Sequence, residues 1–236
     1  MIWVRVKLLA IALAILCLAS YVVFLEVQAS DDSDEQISSS TVWNPSADDL
    51  KRIQQNCAAQ TDNYSRCFIE QMPNFGASDD AVSFTRTYAE QNHGLIAFLK
   101  GFRPVDVVDV GYAYFPGGAD FAQRWLLLNG IPEVIDVDDF KLLPQAEMMK
   151  DPVYAALRKR YPQITLFDGD RGFETPPAAD SLPDGGQWFL IDYPLKDQCR
   201  ACAEVGSASF RFDFEPTGRF KGAKFVKVTP APQMTR

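Results

Sequence analysis

The chain predicts an α+β domain, with N-terminal helices followed by a mostly antiparallel β-sheet and disulfide staples. Three observations carry this reading. Apolar residues recur at helical spacing between capping signals from Ser46 to Gly94. The stretch SASFRFDFE alternates strictly, with Ala208, Phe210, Phe212 and Phe214 on one side and Ser209, Arg211, Asp213 and Glu215 on the other. That is the pattern of a half-buried strand in an antiparallel sheet. Four cysteines, Cys57, Cys67, Cys199 and Cys202, follow an export-type N-terminus, and an even count there reads as two disulfides.

The elements follow in order. Ser46 with Asp49 three residues on resembles a capping box, and Leu50, Ile53 and Cys57 then share a helix face. Tyr64, Cys67, Phe68 and Met72 mark a second helix. Ser78 caps a third, with Asp79 and Asp80 in its first turn, where the helix dipole favours negative charge, and Gly94 at its end. Strands are expected from Val105, where VDVVDVGYAYF is rich in β-branched and aromatic residues. Asn129-Gly130 between two apolar runs predicts a two-residue hairpin. Asp151-Pro152 starts a helix that runs to about Tyr161. A short strand, ITLF, precedes a loop rich in Pro, Gly and Asp from Gly169 to Gly186. QWFLIDY reads as a buried strand, Pro216-Thr217-Gly218 as a turn, and RFKGAKFVKV as the return strand with a bulge at Gly222.

Residues 1–29 read as a signal peptide. Arg5 and Lys7 precede an apolar run from Leu8 to Leu25, and Val27 and Ala29 fit a cut that frees Ser30. The run has 18 residues, so a retained N-terminal anchor to the inner membrane is the alternative. The positive-inside rule puts the domain on the same outer side either way, periplasmic or otherwise extracytoplasmic. Cys17 as a lipid-bearing residue is disfavoured by Leu16 before it. Residues 30–43, acidic and Ser-rich at their start, are expected to be a disordered linker. Residues 44–229 form a single domain, and 230–236 a flexible tail.

Charge and composition narrow the function. Removing residues 1–29 takes away Arg5, Lys7 and Glu26 and moves the net charge from −8 to −9. This disfavours a nucleic-acid partner, which needs a basic surface. No cofactor motif is present. His93 is the only histidine, so no multi-histidine metal site exists, and its place at a helix end gives it a structural reading.

Four groups of residues remain as candidate sites. Cys199-Arg200-Ala201-Cys202 has the C-x-x-C spacing of thiol oxidoreductases, but no helix is predicted after it to lower a thiol pKa, so a structural staple is preferred. The four cysteines allow three connectivities, and proximity favours Cys57–Cys67 and Cys199–Cys202. Asp136, Asp138 and Asp139 bring carboxylates together at a strand end. They suit acid–base hydrolysis or cation binding, but helix capping is the commoner use. Asp168-Gly169-Asp170-Arg171-Gly172 lacks the ligand spacing of a calcium loop and reads as a turn. Arg219, Lys221, Lys224 and Lys227 crowd the last strand, and residues 199–236 carry seven basic and three acidic side chains. That asymmetry suits a binding face for an anionic partner, or lysines that protect an edge strand.

The run LLLNGIPEVIDVDD and the ending YPLKDQCRACAEVGSASFRFDFEPTGRFKGAKFVKV resemble an uncharacterised family of exported bacterial envelope proteins. The ending also has a fainter, fold-level likeness to periplasmic vertebrate-type lysozyme inhibitors, in which a cysteine-closed loop precedes a hairpin. Their inhibitory loop is longer and contains a histidine, and Cys199 to Cys202 has none. The function expected is therefore a non-enzymatic envelope protein that binds another envelope protein or polymer. The rivals are a hydrolase using the acidic group and a C-x-x-C thiol protein.

Overall fold

The structure is a computed structural model and describes residues 36–60, 63–116, 123–169, 172 and 174–232. The signal or anchor segment, the first part of the linker and residues 233–236 of the tail lie outside the described residues.

Three helices lead. Helix α1 (Ala47–Cys57) opens on the expected capping box. The Ser46 hydroxyl accepts the Asp49 N–H, and the Asp49 carboxylate accepts the Ser46 N–H. Leu50, Ile53 and Cys57 are its buried face. The Cys57–Cys67 disulfide, 5.7 Å between Cα atoms, ties α1 to α2 (Tyr64–Gln71). Helix α3 (Asp79–Gln91) is capped by Ser78, and Gly94 returns its N–H to the Ala89 carbonyl at 2.8 Å.

The first sheet is antiparallel throughout, in the order β1 (Phe98–Arg103), β2 (Asp109–Tyr114), β3 (Gln123–Leu128), β4 (Val134–Asp136). Both of its faces are covered. Val110, Tyr112, Trp125, Leu127 and Ile135 face the second sheet, while Leu99, Ala113, Leu126 and Leu128 pack with Phe84 and Tyr88 of α3. The strands begin earlier than expected. Strand β1 has no polar face, with Phe98 and Leu99 both fully buried, and so carries no alternation to read. Crowding on the helix side is close: a Cβ at Gly111 would stand 2.5 Å from Leu128 Cδ1, so glycine is needed there for the sheet to meet its neighbours.

The expected two-residue hairpin at Asn129-Gly130 is not formed. Leu128 pairs with Val134, which leaves a connection of residues 129–133. Ile131 is drawn away to bridge Arg219, with N–H and C=O bonds of 2.9 Å each to the Gly218 carbonyl and the Phe220 N–H. Asn129 does adopt the left-handed conformation, φ 64°, but its amide grips other chains. It accepts the Ile37 N–H at 2.9 Å and donates to the Ile37 carbonyl at 2.8 Å and to Asp109 at 2.7 Å.

Helices α4 (Gln145–Met148) and α5 (Pro152–Arg160, capped by Asp151) precede the second sheet. This sheet runs β5 (Ile164–Leu166), β7 (Gln187–Asp197), β8 (Glu204–Phe214), β9 (Phe220–Pro230), and β6 (Ala178–Ser181) pairs with the start of β7. Strand β6 falls inside the expected loop; all four of its residues are exposed, so it shows no buried face to read. Phe189, Ile191, Tyr193, Phe210, Phe212 and Phe214 are fully buried against the first sheet and against Met148 and Tyr154. The anticipated bulge is present: Asp213 pairs with Gly222 (φ 115°) and Phe214 with Phe220, leaving Lys221 extra.

The body is thus three layers: helices, a sheet buried on both faces, and a sheet with one outward face. The Gln187 side chain joins the two sheets, accepting the Val108 N–H and donating to its carbonyl. The expected linker over 30–43 is corrected at its end. Ile37, Thr41 and Trp43 are buried, and Trp43 donates its backbone N–H to the Leu99 carbonyl at 2.8 Å and its indole N–H to Phe75. Apolar burial against α3 and β1, invisible in a Ser-rich stretch, orders these residues. No helix among the described residues is long and apolar enough to cross a membrane.

Candidate functional site

Two of the three carboxylates singled out at the end of β4, Asp136 and Asp139, have separate structural partners. Asp136 receives Arg124 on one oxygen at 2.6 Å and the Asp138 N–H on the other at 2.9 Å. Both side chains lie on the helix side of the first sheet, where the Arg124 guanidinium stacks 4.7 Å from the Phe115 ring centroid. Burial pushes the Asp136 carboxyl above its ordinary range, Arg124 opposes this, and Asp138 adds to it. Burial works against the Arg124 charge, but Asp136 outweighs it and the guanidinium pKa rises. The Tyr88 hydroxyl is likewise raised, first by burial and then by Asp136. Asp139 caps the short 3-10 turn Phe140–Leu142 through the Lys141 N–H. Committed in this way, Asp136 and Asp139 are poorly placed for hydrolysis. Among the described residues no group of three His, Cys, Asp or Glu is arranged to hold a metal.

Asp138 also raises the carboxyl of Asp168, after the effects of burial and of the opposing Arg200. Asp168 accepts from Arg200 in the β7–β8 turn. The Cys199–Cys202 disulfide, 5.1 Å between Cα atoms, closes that turn. No helix follows Cys202: the chain passes directly into β8. A helix N-terminus, one of the features that activate a C-x-x-C thiol, is therefore missing at this turn. Residues 170 and 171 of the expected turn after Asp168 lie outside the described residues. His93, φ 55°, is exposed just beyond the end of α3.

The basic residues of the last strand separate. Arg219 stands 3.8 Å from Glu215, and Lys221 is 3.3 Å from Asp184. Lys224 reaches Asp213 at 2.6 Å, and Arg211 reaches the same carboxylate at 2.7 Å. Lys227 is exposed on β9, in register with Ser209 and Asp192. Pairing sets the outward face of the second sheet in rows. One row is Asp180, Trp188, Asp213, Gly222; the next is Ala178, Leu190, Arg211, Lys224; the third is Asp192, Ser209, Lys227; the fourth is Pro194, Ser207, Thr229. Trp188, Leu190 and Pro194 form an apolar stripe along β7, partly exposed and outside all three apolar clusters. Asp192 stands within it, between Leu190 and Pro194; Asp180 lies on its β6 side, and Arg211, Lys224 and Lys227 lie with Asp213 on its β8–β9 side. Counted with Asp213, these rows are neutral.

Two residues of the polar face are buried where alternation placed them outside: Ser209 is 2 % exposed and Asp213 1 %. Ser209 donates to Asp192 at 2.5 Å, and Asp213 is shielded by its two cations. Trp188, Arg211 and Asp213 were not singled out from the sequence. Their period-2 spacing with the buried phenylalanines was the available signal. Arg124 carried none, and Asp168 was read only as part of a turn, because its partner Arg200 is 32 residues away. No family model, no curated protein and no solved structure matches this chain.

Proposed function

We propose that the chain is a non-enzymatic extracytoplasmic domain that binds another protein through the outward face of its second sheet. One observation carries the reading. Trp188, Leu190 and Pro194 are partly exposed on the outward side of β7, with Asp192 between the last two, Asp180 on the β6 side, and Arg211, Lys224 and Lys227 with Asp213 on the β8–β9 side. An aromatic anchor inside a charged rim is the usual anatomy of a protein interface. The balance of charge argues for a protein rather than an anionic polymer, which would need a face of one sign. The export-type N-terminus and two disulfides support a location outside the cytoplasm.

The test places a photo-crosslinking side chain at Leu190 in the exported protein within its own envelope. A discrete adduct with one other protein is expected, lost when Lys227→Glu is added and absent when the probe sits at Lys159 on α5. Adducts of equal yield from both positions, or none from Leu190, would sink the proposal. N-terminal sequencing of the same material should begin at Ser30. Recovery of the chain in the cytosol would end the extracytoplasmic reading.

A further inference from the structure

Helices α2 and α3 leave a groove between them of about 570 Å³, lined by Ser65, Arg66, Ile69, Glu70, Arg86, Ala89, Glu90 and Gly94. The C-terminal end of α3 meets the start of α2, where a Cβ on Gly94 would stand 3.3 Å from Ser65 Oγ. The floor is apolar, since Ile69 and Ala89 are buried. The walls carry both charge signs, one Arg and one Glu from each helix, in the same order and four residues apart.

The two pairs differ. On α2 the charges close on each other, with Arg66 Nε 2.8 Å from Glu70. On α3, Arg86 and Glu90 are exposed and form no ion pair with one another or with any described residue. The spacing permits such a pair, because residues four apart are neighbours on a helix. A cation and an anion thus stand open over an apolar floor, in a space within the range of small-molecule sites.

We infer that this groove binds a short zwitterionic peptide, with Arg86 taking its carboxylate and Glu90 its ammonium. The chemistry selects against other ligands. A phosphate or another purely anionic group would meet Glu70 and Glu90, and a purely cationic one would meet Arg66 and Arg86. A tripeptide spans at most about 10 Å; Arg86 and Glu90, with Cβ atoms about 5–6 Å apart as helix neighbours, must splay their long side chains to hold its two ends while an apolar middle side chain lies on Ile69 and Ala89. The guanidinium offers the carboxylate a bidentate fork. This inference does not depend on the sheet interface, which involves neither helix.

The test titrates Ala-Leu-Ala with free termini into the folded chain, followed by calorimetry and by the methyl resonances of Ile69. Saturable binding with a shift at Ile69 is expected. The same peptide with acetylated and amidated ends should bind at least tenfold more weakly. Arg86→Gln and Glu90→Gln should each weaken the free peptide by tenfold or more, while Lys159→Gln leaves it within twofold. Both residues are exposed, so melting temperatures should match the parent. No saturable binding to the parent chain, equal affinity for capped and free peptide, or parent-like affinity in both variants would overturn the inference.

Discussion

The two sheets share one hand-over pattern, antiparallel neighbour to neighbour, yet they answer to different solvents. The first lies between helices and sheet, so Leu126 and Leu127 are adjacent and both buried. The second has one outward face, so Phe210 and Phe212 are buried while Arg211 between them reaches solvent. Burial on both faces removes polar choices, and a sheet so enclosed is an internal wall. Of the two sheets, only the second leaves a face open to solvent.

The sharpest way to break this comparison is truncation. Leu126→Ala, at a position with no exposure, should cost about 2–5 kcal/mol, read by denaturant unfolding. Leu190→Ala on the outward face should cost under about 1 kcal/mol. Equal costs would mean that the outward face is as enclosed as the wall.

The staples should rank the same way. Replacing Cys57 and Cys67 by Ser frees α2 from α1 over a separation of 10 residues and should cost about 2–3 kcal/mol. Replacing Cys199 and Cys202, separated by 3, should cost about 2 kcal/mol or less. In the reduced protein, alkylation of Cys199 against pH should show no thiol pKa below about 7, the range of activated cysteines.

Acid adds a finer comparison between the two carboxylates flanking Asp138. Asp136 and Asp168 both have folded pKa values raised above the ordinary 3.8, first by burial. Just above that value the folded chain holds protons that the unfolded chain releases. Their contribution to stability is therefore full below about pH 3.8 and is lost as pH rises through the folded values. The slope of melting temperature against pH, measured upward from pH 3.5, should be more positive in Asp136→Asn than in the parent. An identical slope would show that Asp136 titrates as it does in the unfolded chain. The smallest effect is expected at Lys227→Glu, within about 0.5 kcal/mol of the parent in stability, although it should abolish the crosslink from Leu190.

What could be read from the sequence follows the same division. Strand β8 was legible because a half-buried sheet writes its orientation in a period of two, and the Gly222 bulge was legible where that period broke in β9; β7 was legible as a strand but was read as buried, whereas Trp188, Leu190, Asp192 and Pro194 give it an outward side. The caps at Ser46, Ser78 and Asp151 were legible because they are local. Strand β1 was not, since Phe98 and Leu99 are both buried and no contrast marks the faces. Asn129 was misread because its left-handed backbone suits a tight turn, whereas its amide serves Ile37, 92 residues away. The site was legible in part. The basic strand pointed to the outward face, but its neutralisation by Asp213, Asp184 and Glu215 depends on strand pairing. Arg124 and Arg200 acquired meaning only when folding brought Asp136 and Asp168 to them.

The Asn129 amide has a mechanical consequence. It holds Ile37 by both backbone groups, as a neighbouring strand would, near the start of the described residues. Among the described residues, tension applied from upstream is therefore met first by this pair of bonds and by the Asp109 carboxylate behind them. The next restraints along the chain are the Ser40 carbonyl, which accepts the Ser78 hydroxyl at 2.7 Å, and Trp43, bonded to Leu99 at the edge of the first sheet and wedged 4.8 Å from Phe98. A pull on the N-terminus would peel residues 37–43 from the helix side before it reached any strand of the second sheet, and the outward face would keep its shape under load.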